Sequence, residues 1–349
     1  MSLLVDIEKQ MGDFRLEVSF VSSGGTLGIL GASGTGKSVT LQCIAGILKP
    51  DAGRIELNGR VLFDSAARIC VPPQKRGIGY LFQQYALFPN MTVRQNIFAG
   101  VRKGTRREKR NQTERALRTF RLEDAAGQYP RTLSGGQQQR TALARILVGE
   151  PEAILLDEPF SAMDRHLREQ LMWELARTIE SFQGDVLMVS HEREEITRFC
   201  DMAVVMDCGR SEPVQRVESI LTEPQTVADA RLAGYFNIAD AVWNENGEVV
   251  VPTWGIRWNG FRADRAFDAV CVPEDAIILS KTETEGGIPC TVCGVTKGTD
   301  GMKVLARPLS GPDGSYLLGN VSFDTEMGSN MWVSVRMDRV MFLKHNIKL

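Results

Sequence analysis

A glycine-rich segment between a strand and a helix is the feature that most constrains the fold of this 349-residue chain. It reads Gly-Ala-Ser-Gly-Thr-Gly-Lys-Ser over residues 31–38, directly after the β-rich run 26–30 and before the helical spacing of residues 39–48. A strand, a loop of the form Gly-x4-Gly-Lys-Ser and a helix, in this order, are typical of a phosphate loop. The sequence therefore predicts an α/β core that binds a nucleoside triphosphate.

The residue types of this loop suit the binding of phosphate oxygens. Gly34 and Gly36 leave backbone N–H groups uncovered, so that the chain can wrap around an anion. The helix that begins near Lys37 directs its positive end at the same place. Lys37 is predicted to bridge the β- and γ-phosphates, and Ser38 to bind Mg²⁺. The predicted nucleotide contacts are Gly31, Ala32, Ser33, Gly34, Thr35, Gly36, Lys37, Ser38 and Val39.

Two adjacent carboxylates follow an apolar run further along the chain. Asp157 and Glu158 come after residues 153–156, a pattern expected for a strand in a parallel sheet covered on both faces. The carboxyl ends of such strands form the ligand-binding edge of an open α/β sheet. Asp157 is therefore predicted to coordinate Mg²⁺, either directly or from its second coordination shell, and Glu158 to polarise the water that attacks the γ-phosphate.

Two more polar side chains are candidates for the same edge. His191 comes after the apolar run 186–189, which is predicted to be the next core strand, and we expect it to contact the γ-phosphate. Gln83 follows residues 79–82, and its long side chain is predicted to reach the Mg²⁺ and the water. The predicted catalytic set is therefore Glu158, His191 and Gln83.

With the segment Leu-Ser-Gly-Gly-Gln at 133–137, these motifs make residues 1 to about 230 resemble the nucleotide-binding subunit of an ATP-binding-cassette (ABC) importer. The resemblance implies a homodimer that hydrolyses ATP with Mg²⁺. It also implies that one copy touches the ATP of the other through Ser134, Gly135, Gly136 and Gln137. Ser134 is expected to cap a helix whose N-terminus faces an anion.

The same resemblance assigns two further roles. Asp164 is expected to couple the two sites of the dimer. An aromatic residue ahead of the phosphate loop is expected to stack on adenine, and Phe14 is the nearest candidate, with Met11 as the other.

Residues 83–96 resemble the importer surface that receives a coupling helix from a membrane subunit. Tyr85, Leu87 and Phe88 form an apolar group there, which is either a surface patch or part of the core. The implied partners are integral membrane permease subunits and, indirectly, a solute-binding protein, so the chain is expected at the cytoplasmic face of the cell membrane. With 43 acidic and 41 basic residues, no strong positive field favours nucleic acid.

The pattern changes after about residue 225, where short β-rich runs separated by turns replace the helical spacing. This predicts an ABC cassette over residues 1–232, with a mixed sheet and a helical subdomain at about 90–150, followed by a small all-β, OB-like barrel over 233–349. Residues 288–345 resemble the oligobinding β-domain of importers, which implies regulation or dimerisation. Cys290 and Cys293 lie within a predicted strand, which favours plain thiols over a metal or redox pair.

Three segments resemble molybdate-type importer ATPases: residues 58–65, 72–79 and 233–239. The resemblance implies uptake of molybdate, tungstate or sulfate, with donors for the anion expected from a turn at residues 319–322 across a barrel dimer. Import of iron, a polyamine or a sugar is the alternative. A soluble ABC ATPase that acts on ribosomes or DNA is a further one, although the single cassette and the lack of sustained heptads favour an importer.

Overall fold

A computed structural model describes residues 2–161, 165–261, 266–284, 286–298, 301–312 and 314–345. The chain divides into two compact units, Met1–Val217 and Glu218–Leu349. The sequence pattern predicts the boundary between the two domains after residue 232 instead. The difference arises because the helix Val227–Leu232 packs its Val227 and Ala230 side chains on Ala269 and Cys271 of the second unit.

The first unit combines a sheet with six helices among its described residues. The strands are β1 (Leu3–Met11), β2 (Phe14–Ser22), β3 (Thr26–Leu30), β4 (Ala52–Leu57), β5 (Arg60–Asp64), β6 (Ile69–Cys70), β7 (Ile78–Leu81), β8 (Ala153–Asp157), β9 (Asp185–Val189), β10 (Met202–Asp207), β11 (Arg210–Ser211) and β12 (Gln215–Arg216). The helices are α1 (Lys37–Ala45), α2 (Val93–Gly100), α3 (Arg106–Thr119), α4 (Gly135–Leu147), α5 (Arg165–Glu180) and α6 (Arg193–Phe199).

The sheet is mixed, as the sequence predicts. Strands β10, β3, β9, β8 and β7 lie side by side and run parallel. Strands β6, β5, β4, β1 and β2 continue the sheet as an antiparallel part, joined through β11. Every residue of β8 and β9 is buried, which explains their continuous apolar runs. Because β3, β8 and β9 are parallel neighbours, the segments that follow them meet at one edge of the sheet.

Helices α2, α3 and α4 form a subdomain with a core of its own, built from residues such as Val93, Ile97, Leu117 and Ala144. Helices α2 and α3 each begin with a capping box, on Thr92 and on Thr105. Within the described ranges, every helix is too short or too polar to traverse a lipid bilayer.

The second unit is mostly antiparallel β-structure, as predicted. Its strands are β13 (Asn237–Asp240), β14 (Val242–Trp243), β15 (Val249–Val251), β16 (Ile256–Trp258), β17 (Ala269–Val272), β18 (Ile277–Ser280), β19 (Ile288–Gly298), β20 (Gly301–Pro308), β21 (Leu317–Val321), β22 (Asn330–Val335) and β23 (Met341–Leu343), with helices α7 (Val217–Thr222) and α8 (Val227–Leu232) before them. Short 3-10 helices span Pro73–Lys75, Pro130–Thr132, Glu274–Ala276 and Met337–Arg339.

Five of these strands form a nearly closed barrel in the order β18, β22, β19, β20 and β21, and β21 returns to β18. Two smaller sheets, β13-β17-β23 and β14-β15-β16, share its apolar core, to which Trp254, Val272 and Leu317 belong. This architecture fits the predicted OB-like domain.

Two details of the barrel bear on the sequence predictions. Residues 319–321 belong to β21, so the expected anion-binding turn at 319–322 is wrong in its conformation. Gly319 pairs with Val304, and a side chain there would clash with Ile277, which explains the glycine. Cys290 and Cys293 lie in the strand β19, as predicted, and burial raises the pKa of Cys290 to about 12.

Candidate active site

The phosphate loop joins β3 to α1, as the sequence predicts, and its shape depends on glycine. Gly34 and Gly36 have φ angles of 83° and 99°, in the region that favours glycine. A Cβ atom on Gly36 would lie 2.5 Å from the Leu16 side chain, so that only glycine fits at the start of α1. The loop therefore keeps its backbone uncovered in front of the helix.

The Lys37 side chain is buried beneath this loop. Its Nζ donates hydrogen bonds to the carbonyl oxygens of Gly31 and Ala32, both at 2.7 Å. Burial lowers the pKa of Lys37, and the nearby charges of Glu158 and Asp157 oppose this shift. The ammonium group is thus held by weak neutral acceptors, which phosphate oxygens can replace.

Asp157 connects the phosphate loop to the centre of the sheet. The Ser38 hydroxyl donates to Asp157 Oδ1 at 2.8 Å, and the Tyr80 hydroxyl donates to Oδ2 at 2.7 Å. Burial and the Asp157 charge raise the pKa of Tyr80, so its hydroxyl remains a donor. Both oxygens of the buried carboxylate are therefore fixed. Tyr80 could not be assigned to the site from the sequence, because its hydrogen bond to Asp157 depends on β7 lying beside β8.

Glu158 lies next to the two other residues of the predicted catalytic set, His191 and Gln83. His191 Nδ1 lies 3.3 Å from Glu158 Oε1, and Gln83 Nε2 donates to Oε2 at 3.2 Å. The Glu158 backbone has a φ of 45° and its N–H donates to the Val189 carbonyl at 3.1 Å. Ser161 joins this group, since its hydroxyl accepts from Gln83 Nε2 at 3.1 Å.

The oxygen atoms at this edge fit a magnesium ion that also binds phosphate. Ser38 Oγ and Asp157 Oδ1 are hard oxygen ligands only 2.8 Å apart. In the part of the chain that the structure describes, no three His, Cys, Asp or Glu side chains are grouped as an all-protein metal cage would need. Mg²⁺ typically binds one or two protein ligands together with phosphates and water, so this sparse set is adequate.

The segment 133–137 forms the start of α4, and Ser134 caps the helix as predicted. Its hydroxyl accepts from the Gln137 backbone N–H at 3.3 Å, while the Ser134 N–H donates to Gln137 Oε1 at 3.0 Å. Gly135 and Gly136 occupy the first turn, where the helix carries its positive end. The segment therefore presents a capped helix terminus with little side chain in front of it.

The two candidates for adenine differ in their surroundings. The partly buried Phe14 packs on the core, and its ring lies beside Gly36, 3.1 Å from where a Cβ atom would be. Met11 pairs with it across the β1–β2 turn and is more exposed, at 37%. Phe14 therefore supports the phosphate loop directly. Asp164 lies outside the described residues.

The predicted apolar group at 85–88 divides between core and surface. Tyr85 is buried, Leu87 packs against the helical core, and Phe88 is 46% exposed. Arg145 of α4 donates to the carbonyl oxygens of Tyr85 and Ala86 and lies over the Phe88 ring at 5.0 Å. Arg145, which could not be assigned from the sequence, therefore connects this segment to the helix capped by Ser134.

Comparisons with known proteins identify the family of this chain. The profile of the ABC transporter family matches residues 17–161. The spermidine/putrescine import ATP-binding protein of Oleidesulfovibrio alaskensis is 34% identical over 328 residues, 91% of this chain and 79% of that protein. The sulfate/thiosulfate import ATP-binding protein of Mycobacterium bovis is 39% identical over 255 residues, covering 72% and 69%.

The molybdenum import ATP-binding protein of Paramagnetospirillum magneticum is 34% identical over 220 residues, which cover 63% of this chain and 61% of that protein's length. Among solved structures, a dimeric ATP-binding cassette in a post-hydrolysis state with ADP and phosphate is similar. It has a TM-score of 0.52 and 28% identity, and the match covers 62% of this chain and 99% of that one.

Proposed function

The chain belongs to the ABC transporter family of ATP-binding proteins and is an ABC-type ATPase, and from this premise we propose that it is the ATP-hydrolysing subunit of an importer. The observation that carries the proposal is the joint position of Asp157 and Glu158. One carboxylate is bound to Ser38 of the phosphate loop, and the other to Gln83 and His191. The relatives that match most of the chain are import proteins.

In the proposed reaction, ATP and water give ADP and phosphate. The phosphates lie on the N–H groups of residues 31–38, and Lys37 turns from the loop carbonyls to the β- and γ-phosphate oxygens. Ser38, Asp157 and Gln83 would hold Mg²⁺, and the ion would supply positive charge to neutralise the phosphates. Phe14 supports the loop from the adenine side.

Glu158 accepts a hydrogen bond from the attacking water and increases its nucleophilicity. His191 and Gln83 contact one carboxylate oxygen each, so they fix the direction in which Glu158 points. His191 is exposed enough to reach the γ-phosphate as well. Chemistry at this site therefore depends on positioning and charge, as in other phosphoryl transfers.

We further propose that two copies form a homodimer with two shared sites. The similar solved cassette is dimeric and holds ADP and phosphate. The α4 terminus of one copy, with Ser134, Gly135, Gly136 and Gln137, is the anion-binding element that the partner's nucleotide requires. Asp164 is the proposed link between the two sites.

The proposed partners of this dimer are integral membrane permease subunits, which bind around Phe88, and indirectly a solute-binding protein. This places the chain at the cytoplasmic face of the cell membrane, with no nucleic-acid partner. The test is purification of the tagged full chain from gently solubilised membranes. Co-purifying integral membrane proteins are expected, whereas ribosomes or DNA in their place would favour the soluble ABC ATPase.

The proposed solute is an oxyanion, namely molybdate, tungstate or sulfate, because segments of both units resemble molybdate-type proteins and the relatives include molybdenum and sulfate importers. A polyamine is the second candidate. The spermidine/putrescine relative favours it, since that match spans 91% of this chain and so includes residues of both units.

Calorimetry on the full chain separates these solutes, because they carry opposite charges. Molybdate, tungstate, sulfate and spermidine are titrated in turn, with chloride as the matched control. Heat with an oxyanion alone is expected if the barrel senses the transported solute. A binding heat with spermidine alone would favour a polyamine as the transported solute. If none of the solutes gives a binding heat, the barrel would serve only for dimerisation.

A further inference from the structure

The loop that carries His191 is held on both sides by one buried hydroxyl. Ser190 is 1% exposed, and its Oγ donates to Glu195 Oε2 at 2.6 Å. The same Oγ accepts from the backbone N–H of Glu192 at 2.9 Å. Ser190 also donates its own N–H to the Ile29 carbonyl of β3 at 3.4 Å. The residues before and after His191 are thereby tied together.

Glu195 connects this loop to a second helix. It lies on α6, is 2% exposed, and accepts at Oε1 from Arg168 Nε at 3.1 Å and from a terminal nitrogen of the same guanidinium at 2.5 Å. Arg168 lies in the first turn of α5 and is also 3.5 Å from Glu192 Oε1. A network thus runs from α5 through Glu195 to both ends of the His191 loop.

An ion pair of this kind is a weak source of stability, because burying the charges offsets most of their attraction. The ion pair instead restricts the geometry of the loop that carries His191. The His191 side chain is 45% exposed, and its described polar neighbours are the carboxylates of Glu158 and Glu192, at 3.3 and 3.8 Å. The orientation of His191 therefore depends on the backbone of its loop.

We propose that Arg168, Glu195 and Ser190 are positioning residues, which act on ATP hydrolysis by holding His191 against Glu158. The inference rests on the proposed ATPase site and adds three residues to it. None of the three is expected to contact the nucleotide. Their effect should therefore appear in turnover and not in nucleotide affinity, and it should require His191.

The main test is Ser190→Ala in the full-length protein, which removes the hydroxyl and leaves the Arg168–Glu195 pair in place. We expect kcat to fall roughly tenfold, the effect of one hydrogen bond to a charged group. KM and the Kd for ATP should change less than twofold. Ser190→Thr keeps the hydroxyl and should recover most of the loss. Thr197→Ala is the matched control, because its hydroxyl donates to the Arg193 carbonyl within α6.

A double-mutant cycle distinguishes positioning from a general loss of structure. In a His191→Ala background, Ser190→Ala should have no further effect on kcat, since the side chain that it positions is gone. An equal tenfold loss in both backgrounds would overturn the proposal, as would normal turnover of Ser190→Ala alone. A wild-type chain without ATPase activity would instead overturn the proposed function.

Glu195→Gln provides a second, independent variant. It keeps an oxygen for the Ser190 hydroxyl and removes the charge that holds Arg168, so kcat should fall with KM unchanged. If its kcat equals that of the wild type while the variant is folded, the network does not position His191.

Discussion

The two halves of the proposed nucleotide site are built differently. Around Asp157 and Glu158, side chains from β7, β8, α1 and the loop after β9 hold one another within a single chain. At the start of α4, the side chains of Ser134 and Gln137 form hydrogen bonds within their own turn. The first half is held by contacts within one chain, whereas the second is a capped helix terminus whose positive end can bind an anion from elsewhere.

This difference predicts which substitutions slow ATP hydrolysis within one chain and which disturb the contact between two copies. Substitutions around Asp157 and Glu158 should lower ATP turnover when they remove a charge without changing the shape of the side chain. Substitutions at the α4 terminus should lower ATPase activity only by disturbing its contact with the nucleotide bound to another copy.

The largest effect is expected for Glu158→Gln. The amide keeps the size of the side chain but no longer provides the negative charge that polarises water, so ATP turnover should fall by roughly 10²–10⁴-fold. ATP binding should persist, since Lys37 and the loop are untouched. Phosphate release and nucleotide binding, measured on the same preparation, check both expectations.

A dimer that retains ATP should then accumulate in size-exclusion chromatography of the Glu158→Gln chain. Wild-type protein with ADP serves as the control. Near-normal hydrolysis by the variant would remove Glu158 from the proposed role, and the water would have to be oriented by another group.

A smaller effect is expected when two damaged chains are mixed. Lys37→Ala removes the phosphate contact of the first half, and Ser134→Arg blocks the second half, so each variant alone should be inactive. A mixed dimer has one site with neither defect and one with both. Activity should therefore return to a fraction of the wild-type value on mixing.

The readout is ATP hydrolysis as a function of the ratio of the two variants. Full activity of either variant alone would contradict shared sites. A mixture that forms heterodimers yet stays inactive would mean that the two sites must act together.

The motifs could be predicted from the sequence because their physics is local. A loop that needs positive φ requires glycine, and a doubly covered strand requires an apolar run, so residues 31–38 and Ala153–Asp157 were recognisable. Tyr80 and Arg145 were not, because their roles depend on strand order and on how α4 packs against residues 85–88. Helix α8 lies beyond residue 225, where the helical spacing of the sequence fades, and its packing on the second unit is a tertiary property.

The barrel illustrates the same limit. Alternation predicts strands, and residues 317–321 alternate between buried and exposed positions. Gly319 looked like a turn residue because a glycine needed for close packing against Ile277 cannot be distinguished, in one sequence, from a glycine needed for a bend.

The backbone of Glu158 has an evolutionary consequence. A non-glycine residue at a φ of 45° is held in a conformation that costs about 1–2 kcal/mol relative to the usual one. Selection for stability alone would place glycine or asparagine there. The chain instead keeps a carboxylate on a strained backbone, so a substitution that relaxes this backbone would also remove the group that we propose acts on the attacking water.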